Sequence, residues 1–298
     1  MPLSDRKCFL TGASGFLGKS VTSFFEGYDF QIWNRNESFQ IDGVISVIHL
    51  AGKAHDLKNT SESHEYYEVN TELTKKVFDA FLASEAKVFI TLSSVKAVAD
   101  EVSEELNEQH HPNPFTHYGK SKLLAEQYIF SKEIPDGKRV YVLRPCMIHG
   151  PGNKGNLNLL YKLVSKNIPW PLGAFENKRS FCSIDNLMFI FKELIERDDI
   201  PSGIYNVADD EPLSTNELIR LITQSQNRNP KLWNISKKFI EGIASIGDKL
   251  HLPLNTERLQ KLTSSYVVSN AKIKAAIGKP LPVSSREGLL KTFKSFNS

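Results

Sequence analysis

Short apolar segments alternate with longer amphipathic ones through the first half of the chain. Buried strands are predicted where four to six mostly apolar residues stand together, at 7–11, 30–33, 44–49, 88–92 and 139–143. Between them, apolar residues recur at helical spacing at 16–26, 62–84 and 118–131. Strands joined by helices of this length need crossover connections, so the pattern predicts an α/β fold with a doubly wound parallel sheet and helices on both faces.

Two departures from this alternation shape the predicted domain organisation. The stretch 33–44 has no room for a helix and a further strand, so the second crossover must be short or irregular. After Gly150, prolines and glycines divide the chain into shorter pieces, which favours a smaller α/β cap that meets the carboxyl edge of the sheet. The helices predicted in this half are 157–166, 184–197 and 215–224. The predicted boundaries are 1–150 rejoined by 183–207 for the sheet domain, and 151–182 with 208–298 for the cap.

Composition and charge exclude several classes of protein for this chain. Of the 298 residues, 40% are hydrophobic and 24% are charged, which supplies a sizeable core and excludes a disordered chain. The net charge of +3 is too small to indicate nucleic acid as a partner, and every apolar run is far shorter than the ~20 residues of a membrane span. Cys8, Cys146 and Cys182 have no metal-type or disulfide spacing, and the amino terminus carries no apolar signal core. We therefore expect a metal-free protein of the cytoplasm.

A glycine-rich segment directly after the first predicted strand is a candidate phosphate-binding loop. In that setting, the first glycine allows a tight turn, the second lets the backbone approach a pyrophosphate, and the third permits close packing of helix on strand. The helix amino terminus then offers unpaired N–H groups to the anion, although an ordinary strand–helix turn is the alternative. The segment predicts a Rossmann-like dinucleotide-binding domain. Its predicted cofactor-binding residues are Gly12, Ser14, Gly15, Phe16, Leu17 and Gly18.

The end of the second strand bears on the choice between NAD and NADP. An acidic residue there holds the adenosine 2′-hydroxyl of NAD, but this chain has Asn34 followed by Arg35. An amide beside a cation tolerates or binds a 2′-phosphate, so both residues are predicted to contact the cofactor. That cofactor is NAD or NADP, with NADP favoured. The alternative is that Arg35 is a solvated loop charge, since the short crossover leaves the register open.

A tyrosine, a lysine and a serine form the candidate catalytic set. Tyr118 and Lys122 stand one helical turn apart and share a face. Hydride transfer at a carbinol carbon needs a group that takes up or supplies the hydroxyl proton, which a tyrosine with a pKa of about 10 does poorly near neutral pH. A neighbouring ammonium favours the phenolate, and together with the positive ring of a bound cofactor it would lower that pKa. Ser94 follows strand 88–92 at the same sheet edge, where its hydroxyl can bond the substrate oxygen.

Eight segments in this order resemble the extended short-chain dehydrogenase/reductase family, which includes the NAD-dependent nucleotide-sugar epimerases and reductases. They are TGASGFLG from Thr11, VIHLAG from Val47, VNTELTKKV from Val69, SSVK from Ser93, YGKSK from Tyr118, LRPCMIHGPG from Leu143, NKRSFCSIDNL from Asn177 and YNVADDEPLS from Tyr205. The resemblance implies that Tyr118 is the acid/base, Lys122 its activator and ribose ligand, and Ser94 the partner of the substrate oxygen. It also implies that the three glycines line the pyrophosphate. The residues implied to border the cofactor are Ala51, Gly52 and Asn70.

The same resemblance implies a UDP-sugar substrate held by the cap. Asn156 and Leu157 fall where family members contact the nucleotide diphosphate, and Trp170 and Leu172 lie in a segment like the one that contacts uracil. Arg179 matches the arginine that grips the diphosphate, and a planar guanidinium suits phosphate oxygens. A surface ion pair for Arg179 and a helix cap for Asn156 are the alternatives.

Within the family, VIHLAG and SSVK look most like reductases that convert UDP-4-keto-6-deoxyhexosamines to the 4-hydroxy sugar for cell-surface polysaccharide. The resemblance thus implies an NAD(P)-dependent oxidoreductase acting at C4 of a UDP-hexosamine, with a UDP-hexose or UDP-HexNAc 4-epimerase as the alternative. Both use tyrosine-assisted hydride transfer and differ in whether the cofactor stays bound. A 4,6-dehydratase is disfavoured because Val95, Lys96 and Ala97, not a carboxylate pair, follow Ser94.

Other possibilities stay open at this point. A non-catalytic NADP-binding regulator need not keep the serine, tyrosine and lysine together, and a dehydrogenase of a lipophilic alcohol would not need the cap arginine. Lys53, His55 and Lys96 could face the sugar or the nicotinamide, or be solvated loop charges. The helices at 62–84 and 118–131 could form a homodimer bundle, although their apolar stripes can equally be core.

Overall fold

A parallel sheet of six strands lies at the centre of the fold, in a computed structural model that describes residues 6–35, 37–53, 62–153, 155–250 and 255–296. The strands are β1 (Lys7–Thr11), β2 (Asp29–Ile32), β3 (Ser46–His49), β4 (Val88–Leu92), β5 (Arg139–Pro145), β6 (Met147–His149), β7 (Phe181–Ser183) and β8 (Gly203–Val207). The sheet has the order β2-β1-β3-β4-β5-β8, and β6 and β7 form a parallel pair of their own. This arrangement confirms the predicted doubly wound α/β fold class.

Helices connect and cover these strands. They are α1 (Phe16–Phe24), α2 (Ser63–Tyr66), α3 (Leu73–Ala83), α4 (His117–Phe130), α5 (Asn156–Ser165), α6 (Ile184–Glu196), α7 (Thr215–Ser225), α8 (Lys237–Leu250), α9 (Thr256–Thr263), α10 (Ala271–Ile277) and α11 (Ser285–Lys294). Of the helices in the described ranges, none is both long and apolar enough to cross a membrane.

The second crossover is short, as predicted. No helix occurs among the described residues between β2 and β3. Trp33 and Phe39 instead stack with ring centroids 5.1 Å apart and fill this side of the sheet. The connection leads β3 to the position directly beside β1, where Leu10 pairs with Ile48.

The predicted single helix over 62–84 is interrupted in the structure. Between α2 and α3, the residues Tyr67–Glu72 form a π-helical turn, the wide type that often marks a functional position. Two buried polar side chains of this turn bond to α4: Asn70 Nδ2 donates to Ser121 Oγ at 3.0 Å, and Thr71 Oγ1 donates to the Ser121 carbonyl at 2.8 Å. The wide turn holds one residue more than a regular 3.6-residue period predicts. It occurs together with the bonds to α4, and a local period carries no signal of such long-range contacts.

Each face of the sheet has its own apolar layer, because successive strand residues point to opposite faces. Leu10 belongs to the layer covered by α6, and Phe9 to the layer covered by α3. A third apolar cluster lies in the cap and joins α5, α7, α8 and α11. Ile273 and Ile277 of α10 pack on the α6 side of the sheet, so the chain also returns to it within 208–298. The domain boundaries given above stay a prediction.

Candidate active site

A cleft of about 1220 Å³ opens over the carboxyl ends of β1, β4 and β5, the edge at which parallel sheets of this kind bind ligands. Its volume exceeds the ~300–1,000 Å³ of an ordinary small-molecule site, so it has room for a cofactor and a substrate together. The predicted residues that line it are Gly12, Ser14, Gly15, Phe16, Leu17, Gly18, Gly52, Ser94, Tyr118 and Lys122. Their roles toward a ligand stay predictions, but the structure brings these residues to one cleft.

The glycine loop leaves backbone open to this cleft. Gly12 has a φ of 75°, the left-handed region that favours glycine, and a Cβ there would lie 2.6 Å from the Ala51 nitrogen. Gly15 precedes α1 without a side-chain cap bond, and its own N–H donates to the Gly12 carbonyl at 3.1 Å. A glycine-rich loop with only small side chains before a helix amino terminus fits the pyrophosphate of a dinucleotide.

Ser94, Tyr118 and Lys122 lie together in the cleft. The Ser94 side chain lies beside the Tyr118 hydroxyl, close enough to lower the pKa of that phenol. Lys122 Nζ donates to the Leu92 carbonyl at the end of β4, at 2.9 Å. The ring of Tyr66 meets that of Tyr118 edge-on, with centroids 6.2 Å apart. The phenol, the hydroxyl and the ammonium are therefore held at one sheet edge, which suits proton transfer at a substrate hydroxyl.

The start of α4 explains how Tyr118 reaches Ser94. Thr116 caps the helix by accepting the Gly119 N–H at 3.1 Å. Gly119 packs so closely on the turn after Ser94 that an added Cβ would collide with the Lys96 carbonyl. The helix therefore begins against the turn at the end of β4, which sets the phenol beside the serine hydroxyl.

Burial dominates the electrostatics of this group. It raises the pKa of Tyr118, and the neighbouring Ser94 side chain acts in the opposite direction. It also lowers the pKa of Lys122 to about 8, opposed by the negative charge of Glu126. In the protein alone, burial therefore decides the direction for Tyr118, and the lowering of its pKa by Lys122 together with a bound cofactor stays a prediction.

A chain of buried hydrogen bonds links the glycine loop to the π turn. Thr11 Oγ1 accepts the Ala51 N–H at 3.1 Å and lies 2.7 Å from His49 Nδ1. On the other side of the ring, His49 Nε2 lies 2.9 Å from Thr74 Oγ1, which donates to the Asn70 carbonyl at 2.8 Å. Since the Thr74 proton is used in that bond, His49 donates through Nε2 and accepts through Nδ1 as a neutral ring. Burial lowers its pKa to about 3.

Asn70 holds the loop that follows β3. Its Oδ1 accepts the Lys53 N–H at 2.8 Å, and its Nδ2 donates to the Lys53 carbonyl at 3.1 Å. A Cβ at Gly52 would lie 3.2 Å from both Asn70 Oδ1 and Lys122 Nζ. The structure thus shows Asn70 as a support of residues 51–53, and the cofactor contacts expected of Ala51, Gly52 and Asn70 stay predictions.

The cations considered for the sugar or nicotinamide contact protein groups. Lys53 lines the cleft and forms an ion pair with Glu65. Lys96 Nζ lies 4.5 Å from the centre of the Tyr266 ring, a cation–π contact. His55 lies outside the described residues.

Three features of the cleft are not among the predicted site residues. Ser93 Oγ lines it, is buried and has no hydrogen-bond partner among the described residues, which marks a hydroxyl available to a ligand. Cys146 also lines the cleft. Lys291 of α11 pairs with Asp185 of α6 at 2.7 Å on its rim. The serine stood beside a predicted catalytic residue, whereas the ion pair joins residues far apart in sequence and had no local signal.

Asn34 and Arg35 follow β2 outside the described lining of the main cleft. Arg35 is exposed. Asn34 is held by Glu37, whose carboxylate accepts the Asn34 N–H at 3.3 Å and its Nδ2–H at 3.2 Å. A carboxylate therefore stands at the end of β2 after all, three residues later than the sequence reasoning looked for it.

The predicted cap residues lie mainly in the cap core. Leu157, Trp170 and Leu172 are buried in its apolar cluster, and Asn156 is exposed at the start of α5. Among the described residues that line the main cleft, none of these four occurs. Their part in binding substrate stays a prediction.

Arg179 has protein partners. Its Nε donates to the Ser264 carbonyl at 3.0 Å and its Nη2 to Ser264 Oγ at 3.1 Å. Nη2 also donates to the Lys261 carbonyl. These acceptors lie at the carboxyl end of α9, where a cation is favourable. A phosphate oxygen would have to replace those bonds, so the predicted diphosphate contact stays a prediction.

Fold and cleft together define a class, the α/β enzymes that bind a dinucleotide at the carboxyl edge of a parallel sheet. The profile of the NAD dependent epimerase/dehydratase family matches residues 29–208, more than half of the chain, and the chain belongs to that family. The UDP-glucose 4-epimerase of Vibrio cholerae is 26% identical over 328 residues, covering 99% of this chain and 98% of that protein. The Escherichia coli O157:H7 N-acetyl-alpha-D-glucosaminyl-diphospho-ditrans,octacis-undecaprenol 4-epimerase is 29% identical, covering 74% of this chain and 72% of that protein. The GDP-6-deoxy-D-mannose reductase of Pseudomonas aeruginosa is 23% identical, covering 73% of this chain and 79% of that protein.

Solved structures share the fold. The UDP-N-acetylglucosamine 4-epimerase of Bacillus cereus has a TM-score of 0.76 at 19% identity, covering 99% of this chain and 100% of that one. MoeE5 with UDP-glucuronic acid and NAD has a TM-score of 0.73 at 16% identity, covering 98% and 99%. RMD from Pseudomonas aeruginosa with NADPH has a TM-score of 0.71 at 19% identity, covering 97% of this chain and 98% of that one. The protein is thus an enzyme of the nucleotide-sugar epimerase and reductase kind, with NAD or NADP as its cofactor.

Proposed function

We propose that the protein transfers hydride at C4 of a UDP-linked hexose or hexosamine and acts as a 4-epimerase. The observation that carries this proposal is that Ser94, Tyr118 and Lys122 lie together in the cleft that the glycine loop borders. The two relatives named as 4-epimerases support C4 as the reacting position. The 4-reductase favoured by the sequence reasoning is the second candidate, supported by the Pseudomonas aeruginosa reductase.

Each residue of the set has a distinct task in this proposal. A bound nicotinamide supplies the hydride chemistry. Tyr118 takes up and returns the proton of the C4 hydroxyl, and Ser94 donates to the same oxygen as charge develops on it. Lys122, held by the Leu92 carbonyl, places its ammonium where it stabilises the phenolate and binds ribose hydroxyls. The backbone N–H groups at the start of α1 bind the pyrophosphate.

The cap binds the UDP part of the substrate in this proposal. Asn156, Leu157, Trp170 and Leu172 retain their predicted roles there, and Arg179 exchanges its bonds to α9 for phosphate oxygens. We place the activity in the cytoplasm, which suits the free thiols of the three buried cysteines.

Replacement of Tyr118 by Phe tests the chemistry. Without the phenol proton, we expect kcat to fall by a factor of about 100 or more, while the Kd for NADH stays within about twofold. UDP-glucose and UDP-N-acetylglucosamine serve as epimerase substrates, and UDP-4-keto-6-deoxy-GlcNAc with NADPH as the reductase substrate. Tyr128→Phe is the matched control, because Tyr128 lies on the same helix and bonds to Asp79 on the surface. Full turnover by Tyr118→Phe would contradict the assignment.

The state of the cofactor separates the two candidate reactions. An epimerase recycles its nicotinamide, so we expect the purified protein to release about one NAD⁺ per chain on denaturation and to interconvert UDP-sugars without added cofactor. A reductase would instead release little nicotinamide and would oxidise NADPH in step with reduction of the keto sugar. The second result would replace the epimerase by the reductase.

A further inference from the structure

Helix α8 carries apolar residues on two neighbouring faces, of which one is exposed. Ile240, Ala244 and Gly247 face the cap core and are buried. The residues of the second face are Phe239, Ile243, Ile246 and Leu250, with exposed fractions of 61%, 37%, 55% and 64%. At ~100° per residue these four side chains fall within an arc of about 60°, so they form one continuous stripe along the helix. We call it the α8 stripe. A continuous stripe of this length marks an interaction surface, whereas single exposed apolar residues do not.

Charges are sorted around the α8 stripe. On the helical wheel Lys249 and Lys238 lie about 60° and 80° from the edge of the stripe, on the side away from the cap core. Glu241, Asp248 and Lys237 lie on the far side of the helix, where Lys237 contacts the ring of Phe175. Asp248 is engaged there with Thr256, whose N–H it accepts at 3.0 Å. The face that presents the apolar residues therefore presents lysines and no carboxylate among the α8 residues.

We propose that the α8 stripe docks on an anionic membrane surface. An apolar stripe bordered by lysines is the pattern of helices that lie in the plane of the lipid headgroups, with the apolar side chains inserted and the ammonium groups on lipid phosphates. Trp233, 56% exposed just before the helix, is of the residue type that anchors at this interface. The α8 helix, Lys237–Leu250, is too short to span a bilayer, so it would lie on the surface.

Charge favours a lipid surface over a second copy of the chain as the occupant. An isologous contact would bring two copies of the same lysine-bordered face together, which like charges oppose. Anionic headgroups instead complement that face, because lysines near a membrane surface are attracted to lipid phosphates.

The segment that leads into α8 is bonded to the cap segment proposed to hold the substrate. The Trp170 N–H donates to the Lys231 carbonyl at 2.8 Å, and the Trp233 N–H donates to the Trp170 carbonyl at 2.9 Å. Leu172 forms an antiparallel bridge with Asn234 in the same segment. Docking would therefore fix the cap relative to the membrane. Membrane docking does not depend on the proposed reaction at the sugar, so separate experiments test the docking and the reaction.

Vesicle sedimentation tests the docking. The full-length protein is spun with vesicles of equal parts phosphatidylglycerol and phosphatidylcholine, and with phosphatidylcholine vesicles alone. We expect partition into the anionic vesicles that weakens as salt rises, because the lysine term is screened. The double variant Phe239→Ser/Ile246→Ser should lower that partition by about tenfold or more, and Lys238→Glu/Lys249→Glu should remove the preference for anionic lipid. Leu159→Ser, which changes an exposed leucine of α5, is the matched control and should partition as the wild type.

Each contrary outcome is decisive. Wild-type protein that stays in the supernatant with anionic vesicles overturns the proposal, as does equal loss in Leu159→Ser. Sedimentation velocity without lipid identifies the other occupant: a wild-type dimer that the Phe239→Ser/Ile246→Ser variant converts to a monomer, with no lipid binding, would assign the α8 stripe to a second copy. Turnover of soluble UDP-sugar by the α8 variants should equal that of the wild type. Absence of turnover in the wild type would count against the proposed function and leave the lipid result standing.

Discussion

At the scale of single residues, the site depends on a histidine that contacts no catalytic group directly. His49 is buried in β3, joined to Thr11 on one side and to Thr74 on the other. Thr11 also bonds to the loop after β3, and Thr74 also bonds to the turn that carries Asn70, so His49 is connected to both. A neutral ring with one donor and one acceptor satisfies both hydroxyls, whereas a charged ring would leave the Thr11 proton without its acceptor.

This arrangement predicts a specific pH dependence of stability. Because burial lowers the pKa of His49 from 6.5 to about 3, the unfolded state binds a proton in that interval and the folded state does not. The free energy of unfolding should therefore fall as the pH drops from 6.5 toward 3, with His49 contributing up to ~1.4 kcal/mol per pH unit. Urea unfolding of the wild type and His49→Gln at pH 7 and pH 5 measures this contribution as the difference between their slopes.

The exposed His111 provides the control for that experiment. His111→Gln should keep the wild-type dependence on pH, since the residue is solvated in both states. Equal slopes for the wild type and His49→Gln would contradict the neutral assignment of the buried ring.

At the scale of elements, the short second crossover changes what stands at the end of β2. Without a helix there, the chain turns back at once, and Glu37 reaches the backbone and side chain of Asn34. Sequence reasoning weighed Asn34 and Arg35 by their distance from the strand and favoured NADP. The fold adds a carboxylate at this strand end, and its negative charge would favour a ribose hydroxyl over a 2′-phosphate in a cofactor bound there.

Cofactor preference should therefore shift when this carboxylate is neutralised. We expect Glu37→Gln to tighten NADPH binding by about tenfold relative to NADH, because the variant keeps the size of the side chain and loses its charge. Nicotinamide fluorescence titrations of both cofactors give the two Kd values. Glu26→Gln, an exposed change at the end of the first crossover, should leave their ratio unaltered. An unchanged ratio of the two Kd values in Glu37→Gln would contradict a role for Glu37 in cofactor preference and leave Arg35 as the residue predicted to set it.

At the scale of the whole molecule, a buried polar joint connects the sheet to the cap. Asp209 follows β8, and its carboxylate accepts the Ser183 N–H at 2.9 Å and the Asn186 Nδ2–H at 2.7 Å. His149 Nε2 lies 3.4 Å from the same carboxylate, and the other nitrogen of that ring lies 2.9 Å from Thr292 of α11. One carboxylate thus joins β6, β7, α6 and, through the histidine, α11.

Removal of this carboxylate should weaken the entire fold. Asp209→Ala leaves several buried donors unpaired, so we expect the free energy of unfolding to fall by about 3 kcal/mol or more. Asp210→Ala is the adjacent control. Asp210 pairs with Lys274 on the surface, where both side chains are about 40% exposed, and its loss should cost less than ~1 kcal/mol. Denaturant unfolding measures the free energy of unfolding of both variants. Equal decreases in the two would contradict the role of Asp209 in joining the sheet to the cap.

Local signals were sufficient for the architecture and for the centre of the site. Helix and strand periodicity predicted the parallel sheet and the shortened crossover, because each depends on the spacing of neighbours along the chain. Spacing also placed Tyr118 and Lys122 on one face, and Ser94 at a strand end. The π turn at Tyr67–Glu72 was missed because the bonds that accompany it reach across to α4.

By itself, the sequence determined that this is a doubly wound α/β protein with a glycine loop and a Ser-Tyr-Lys set, since those features depend on residues close together in the chain. Tertiary structure decided the rest. It raised the pKa of Tyr118 by burial, bound Arg179 to the end of α9 and set Glu37 against Asn34. It also left the α8 stripe uncovered while burying the stripe beside it. Desolvation of a side chain, and which hydrogen-bond partner it takes, depend on how the molecule packs. Neither can be predicted from the order of residues along the chain.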